Sequence, residues 1–285
     1  MRHHHQHRSA GHHHRPGQRI YPRQAQLGHF VETLDLSPVN LRDLGGLPVS
    51  GGTVRPGVLL RSDDVSVMPA AFAQQMIDDG VTSVIDLRSP EEALMTGRGP
   101  LTVPGVNYHH LALTASVSSP EDISHEMMSS ATTPAHVGAW YANLLETQAR
   151  QLALGVTLVA MSDGATVFHC AAGKDRTGVF AAVVLSALGA TPATISADYA
   201  VTATRLPQLF PRLRAIMGGL MPDRVLDEEA IKGMGAMMGA HAESMETMQA
   251  LLIERHGSVL EPVRRAGLSD ATIAQLRERL VAEDA

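Results

Sequence analysis

Cysteine is almost missing from this chain: among 285 residues only Cys170 carries a thiol. An intramolecular disulfide is excluded, and a cysteine-built zinc site lacks its ligands. The thiol also has no resolving partner within the chain if it is oxidised. Aromatic residues are scarce too, at 4%. Leu, Val, Ala and Met must therefore fill the interior, and 44% hydrophobic residues over this length suffice for a core. No apolar run reaches the ~18 residues of a membrane span. The richest stretches, 152–161 and 179–188, suit buried helices, so no integral membrane segment is expected. The N-terminus lacks the apolar stretch of a signal peptide, which implies a cytoplasmic location or export without an ordinary signal. Acidic residues are missing from 1–23, which holds Arg2, Arg8, Arg15, Arg19 and Arg23. The net charge of -6 therefore falls on an acidic body. Such a body argues against nucleic acid as a partner, and any site for an anion must generate its own positive field.

Residues 1–28 are low in complexity and rich in His and Arg, and read as a disordered tail ahead of one domain over 29–285. Residues 58–61 read as a short strand. Residues 69–79 read as a helix, with Pro69 near its start and Gly80 after its end. Strands are expected at 81–87, 106–113 and 165–169. Residues 114–134, rich in Ser, Thr and Pro, read as a mobile connection. Helices are expected at 135–148, 149–161 and 176–188, and the chain reads as helical from Thr191 to its end. Strands alternating with helices and followed by a helical half predict an α/β fold: a central, mostly parallel sheet flanked by helices, with a helical extension.

The segment 169–178, His-Cys-Ala-Ala-Gly-Lys-Asp-Arg-Thr-Gly, lies between a strand and a helix. A loop entering a helix N-terminus can aim several backbone N–H groups at one anion, with the helix dipole behind them. Ala171, Ala172 and Gly173 keep bulk out of that cradle, and Lys174, Asp175 and Arg176 complete it. Only a thiolate attacks, and the N–H groups, the helix terminus and Arg176 all favour the charged sulfur of Cys170. Arg176, six residues after the thiol, returns a planar guanidinium to the same centre, where it can hold two phosphoryl oxygens. His169 is expected to brace the loop backbone. Thr177 is expected to donate its hydroxyl to the sulfur. These features imply nucleophilic attack on phosphorus, a phosphocysteine and its hydrolysis by water. No metal or cofactor is needed. A chance Cys-x5-Arg pattern around a buried structural thiol is the bland alternative, and the ten-residue string argues against it.

At this loop the sequence resembles the protein tyrosine phosphatase superfamily, and more closely the bacterial atypical tyrosine and dual-specificity phosphatases of the mycobacterial phosphatase B type. Lys174-Asp175 ahead of Arg176 is the specific marker. Further segments match in order: 40–46, Arg61-Ser62, 85–89, Ala197-Asp198-Tyr199, 206–209, and the tail 256–268. The resemblance covers about 32–282. It implies a phosphatase fold with a helical lid, placed here at about 205–250. It also implies a phosphoprotein or phosphopeptide substrate, with a phosphoinositide as the alternative. Relatives place an acid after the strand that here ends at Leu113, and this chain has none there. Asp175 becomes the candidate proton donor by family analogy and position, with Asp122 or Glu121 as runner-up and an ion-pair role as the bland reading of Asp175.

Lys174 reads either as added charge for polyanionic substrates or as a solvated lysine at the loop mouth. Asp86 and Arg88, at a strand end, read as braces for the loop, and Arg42 and Asp43 as structural. Trp140 and Tyr141 read as packing a helix on the core. Seven methionines, Met217, Met221, Met234, Met237, Met238, Met245 and Met248, suit either a lid that repacks or plain helix core. A phosphate-binding module without catalysis remains an alternative of a different class.

Overall fold

The computed structural model describes residues 35–114, 133–220 and 235–283. The tail 1–28, the connection bearing Glu121 and Asp122, and the part of the expected lid holding Met221 and Met234 lie outside the described residues. In chain order the elements are β1 (Arg42–Asp43), β2 (Pro48–Val49), β3 (Gly52–Val54), β4 (Leu59–Ser62), α1 (Ala70–Asp78), β5 (Val81–Asp86), α2 (Pro90–Thr96), β6 (Asn107–His110), α3 (Pro134–Thr147), α4 (Ala149–Met161), β7 (Ala165–His169), α5 (Asp175–Ala187), α6 (Pro192–Ala200), α7 (Leu206–Leu220), α8 (Ala242–His256), α9 (Glu261–Arg265), α10 (Asp270–Leu280) and β8 (Val281–Glu283). Short 3-10 turns at Val201–Arg205 and Gly235–Met238 complete the set among the described residues.

Five strands form the central sheet in the order β1-β4-β7-β5-β6. Only the edge strand β1 runs antiparallel. β7 is buried at every position, as a central parallel strand covered on both faces must be. Side chains alternate between the faces. Val84 and Val167 point into a cluster with Ala73, Met76 and Leu101. Their neighbours Ile85 and Phe168 enter a larger cluster with Leu144, Val156 and Phe180, which Met245, Leu252 and Leu276 extend into the C-terminal helices. Three parallel strands thus end side by side at Ser62, Asp86 and His169. In open parallel sheets that edge is where ligands gather.

The mostly parallel sheet flanked by helices and followed by C-terminal helices agrees with the expectation. Two local readings need correction. The chain is not helical to its end, because Val281–Glu283 pairs with Gly52–Val54 in a second, three-stranded antiparallel sheet. Helix α2 was not foreseen, although Ser89-Pro90-Glu91-Glu92 spells its start: Ser89 accepts from the Glu92 amide, and Glu92 accepts from the Ser89 amide. Met237, Met245 and Met248 belong to the larger core cluster.

Candidate active site

The loop 170–174 leaves β7 and runs into α5. What holds it is a set of donors acting on its carbonyls. Asn40 Nδ2 donates to the Ala172 oxygen at 3.0 Å and the Gly173 oxygen at 3.1 Å. Arg61 Nη2 also donates to Gly173, at 2.9 Å. The Asp64 amide donates to the Ala171 oxygen at 3.1 Å. His169 Nδ1 lies 3.2 Å from the Cys170 oxygen. The described residues contain no cis peptide, and a trans peptide sets its N–H opposite its C=O. Carbonyls drawn outward therefore turn the N–H groups of Ala171, Ala172, Gly173 and Lys174 toward the other side, which is the cradle an oxyanion requires. Gly173 is obligatory in this turn. Its φ is +65°, and a Cβ there would lie 2.5 Å from the backbone of Ser62 and Asp63.

Cys170 sits at the floor of the loop with 2% exposure, while Ala171, Ala172, Asp175 and Arg176 along the rim are half-buried. Thr177 Oγ1 donates to the sulfur at 3.1 Å, as expected. His169 is wholly buried, and desolvation holds its ring below the usual range despite the attraction of Asp86. It is therefore a neutral brace.

The guanidinium of Arg176 is gripped by Glu92, which the sequence reading missed. Nη1 meets Oε2 at 2.5 Å and Nη2 meets Oε1 at 2.8 Å. Burial alone would raise the Glu92 carboxyl, but Arg176 wins and brings it down to about 2. Burial would likewise lower Arg176, and its bonds to Glu92 hold it above its ordinary value. A guanidinium has five N–H donors. Glu92 takes two at the head of the fork, which leaves the Nε edge for another oxyanion.

Asp86 and Arg88, read as braces for the loop, form a buried ion pair at the strand end beside it. Arg88 Nε and Nη2 meet Asp86 at 2.9 and 2.7 Å. Arg88 also reaches Asp64 at 3.2 Å and the Gly97 oxygen at 2.8 Å. Burial would raise the Asp86 carboxyl, yet the hydrogen bonds from Arg88 and from the Tyr108 hydroxyl hold it well below the usual carboxylate range. The segments quoted for the resemblance converge here. Asp198 bridges Arg42 at 3.1 Å and Arg61 at 2.5 Å, and Arg61 and Asn40 in turn hold the loop. Asp63, unremarked in the sequence, accepts from the Asn40 amide and from Arg212.

Lys174 departs from the solvated reading. Its ammonium is buried, donates to the Met237 and Gly239 oxygens, and lies 3.4 Å from Asp175. Backbone carbonyls replace the water it gives up, so it is not solvated. Asp175 accepts a hydrogen bond from the hydroxyl of Tyr141, whose side chain was read only as packing. No contiguous signal links Tyr141 or Glu92 to the loop. For Glu92 the capping box was the available clue.

A model of the tyrosine phosphatase family matches residues 36–282. The triple specificity protein phosphatase PtpB of Mycobacterium tuberculosis is 30% identical over 268 residues, covering 84% of this chain and 95% of its own. A putative tyrosine-protein phosphatase of Cupriavidus necator is 33% identical over 64% of this chain and 66% of its own. A tyrosine-protein phosphatase of Nostoc commune is 27% identical over 82% of this chain and 78% of its own. A match that runs from Leu36 to Ala282, with the loop, its braces and the C-terminal helices all inside it, makes the chain a member of the tyrosine phosphatase family.

Proposed function

We propose that this chain hydrolyses phosphotyrosine in proteins through a phosphocysteine at Cys170. The observation that carries the reading is the loop itself: outward-held carbonyls, a Thr177 hydroxyl on the sulfur and a pinned guanidinium around one thiol. Sγ forms a bond to phosphorus as the bond to the phenolic oxygen breaks, and Asp175 gives that oxygen its proton. Water then attacks phosphorus while Asp175 takes a proton back. The sulfur leaves as thiolate, eased by the hydroxyl of Thr177. The amides of 171–174 and the free edge of Arg176 hold the equatorial oxygens through both steps.

Substrate breadth is the second question. A relative of this chain carries the name triple specificity phosphatase, and some breadth beyond phosphotyrosine is consistent with a cradle made of backbone. The phosphoinositide alternative loses its particular support, since the Lys174 ammonium is engaged by Met237 and Gly239.

The test is Cys170→Ser and Arg176→Ala with a phosphotyrosine peptide. The serine variant is expected to lose turnover while still binding inorganic phosphate, and the alanine variant to lose both. Turnover retained by Cys170→Ser would reject the mechanism.

A further inference from the structure

We propose that Tyr141 and Tyr199 form a hydroxyl chain that positions Asp175 and fixes which of its oxygens carries the proton it transfers. This rests on the reading of Asp175 as the proton donor. Tyr141, from α3, and Tyr199, from α6, are 0% and 1% exposed. Their hydroxyls lie 2.7 Å apart, and that of Tyr141 donates to Asp175 Oδ1. The rings meet edge to face, with centroids 5.8 Å apart.

Packing alone does not call for the two oxygens, because Phe would fill the same space without a polar group to satisfy. Counting protons fixes the direction of the chain. An ionised carboxylate only accepts, so Tyr141 donates to Asp175, and the 2.7 Å contact then requires Tyr199 to donate to Tyr141. Burial pushes both tyrosine hydroxyls well above their ordinary range, so they stay neutral donors wherever the enzyme operates. Oδ1 is thus occupied by Tyr141, with the Lys174 ammonium 3.4 Å away. The transferable proton is left to Oδ2. Among the described residues, Arg176 of the loop is a further charged group that interacts with Asp175.

The chain also gives Gly178 a purpose. A Cβ at that position would lie 2.9 Å from the ring of Tyr199. The glycine that ends the Arg-Thr-Gly string therefore admits the outer tyrosine of the pair.

The test is kcat/KM for a phosphotyrosine peptide against pH, in the intact protein and in Tyr141→Phe, Tyr199→Phe, Asp175→Asn and the Asp175→Asn/Tyr141→Phe pair. Removing a donor to a carboxylate favours its protonated form. The basic limb, which reports loss of the acid's proton, should move up in Tyr141→Phe. It should move less, in the same direction, in Tyr199→Phe. On the Asp175→Asn background the tyrosine change should add no further loss. A purely structural role predicts a lower Tm with the limb in place, and that result overturns the proposal. If Tyr141→Phe does not fold, an unmoved limb in Tyr199→Phe overturns it equally. Asp175→Asn at the full rate, with its basic limb intact, would remove the proton donor itself. That failure is distinct from one in which Asp175→Asn is slow and the tyrosines are silent.

Discussion

Replacing Glu92 by Gln keeps the shape of the side chain and removes its charge, which isolates what the ion pair does for Arg176. The carboxyl is held at about 2 against an ordinary 4.5, a displacement equivalent to about 3 kcal/mol of coupling. The Glu92 side chain is 29% exposed, so solvent screening reduces this to roughly 1–2 kcal/mol. Two readings of that coupling oppose each other. If Glu92 mainly cancels the charge of Arg176, the variant binds phosphate more tightly and works at least as well. If Glu92 mainly aims the guanidinium, the aligned fork is lost where charge develops, and kcat falls. The bidentate geometry, 2.5 and 2.8 Å, favours aiming. The expected result for Glu92→Gln is a fall in kcat of about 5–30-fold, with inorganic phosphate inhibition changed far less. Steady-state kinetics with an aryl phosphate and phosphate as inhibitor separates the two. A kcat within two-fold of the unmodified protein refutes the positioning argument.

Gly173→Ala forces a side chain onto φ +65° and into the backbone of Ser62 and Asp63. It should abolish activity and lower Tm by several degrees, as thermal melts and an aryl phosphate assay will show. His169 is held neutral by burial, below 6.5. As pH falls below 6.5, the unfolded chain takes up a proton that the folded chain refuses. Stability is therefore lost on acidification from about 6.5 down to the folded value, and none is lost from this group above 6.5. His169→Gln should flatten the slope of urea-unfolding free energy between pH 7 and 5, and an unchanged slope would count against it. Lys174→Met removes the ammonium from the Met237 and Gly239 oxygens. Tm should fall, while the ratio of kcat/KM for an inositol phosphate over a phosphotyrosine peptide stays within about three-fold. A ten-fold drop in that ratio would return Lys174 to substrate binding.

The loop was legible because its chemistry is contiguous: thiol, small residues, guanidinium and hydroxyl stand in one string whose geometry the flanking strand and helix dictate. The central strands were legible for a similar reason, since 81–87 and 165–169 are short stretches rich in β-branched and apolar residues, each preceded by a glycine. What escaped was whatever the fold assembles from a distance. Glu92 lies 84 residues before Arg176, on a helix too short to show periodicity, with only a capping box to announce it. The fate of Lys174 escaped because its partners are carbonyls, and a backbone oxygen has no signature in a sequence. The strand Val281–Glu283 was hidden because three residues at the end of an amphipathic helix carry no alternation to read, and only pairing with Gly52–Val54 makes them a strand.

The inner wall of the loop is main chain, fixed from behind by Asn40, Arg61 and Asp64. A wall of peptide groups offers substitution little to act on: exchanging Ala171 or Ala172 for another small residue leaves the same amides facing the same anion. Discrimination among phosphate esters must therefore arise outside the cradle, in surfaces that meet the rest of the substrate. Variation in the loop itself would alter how well phosphate is held far more than whose phosphate it is.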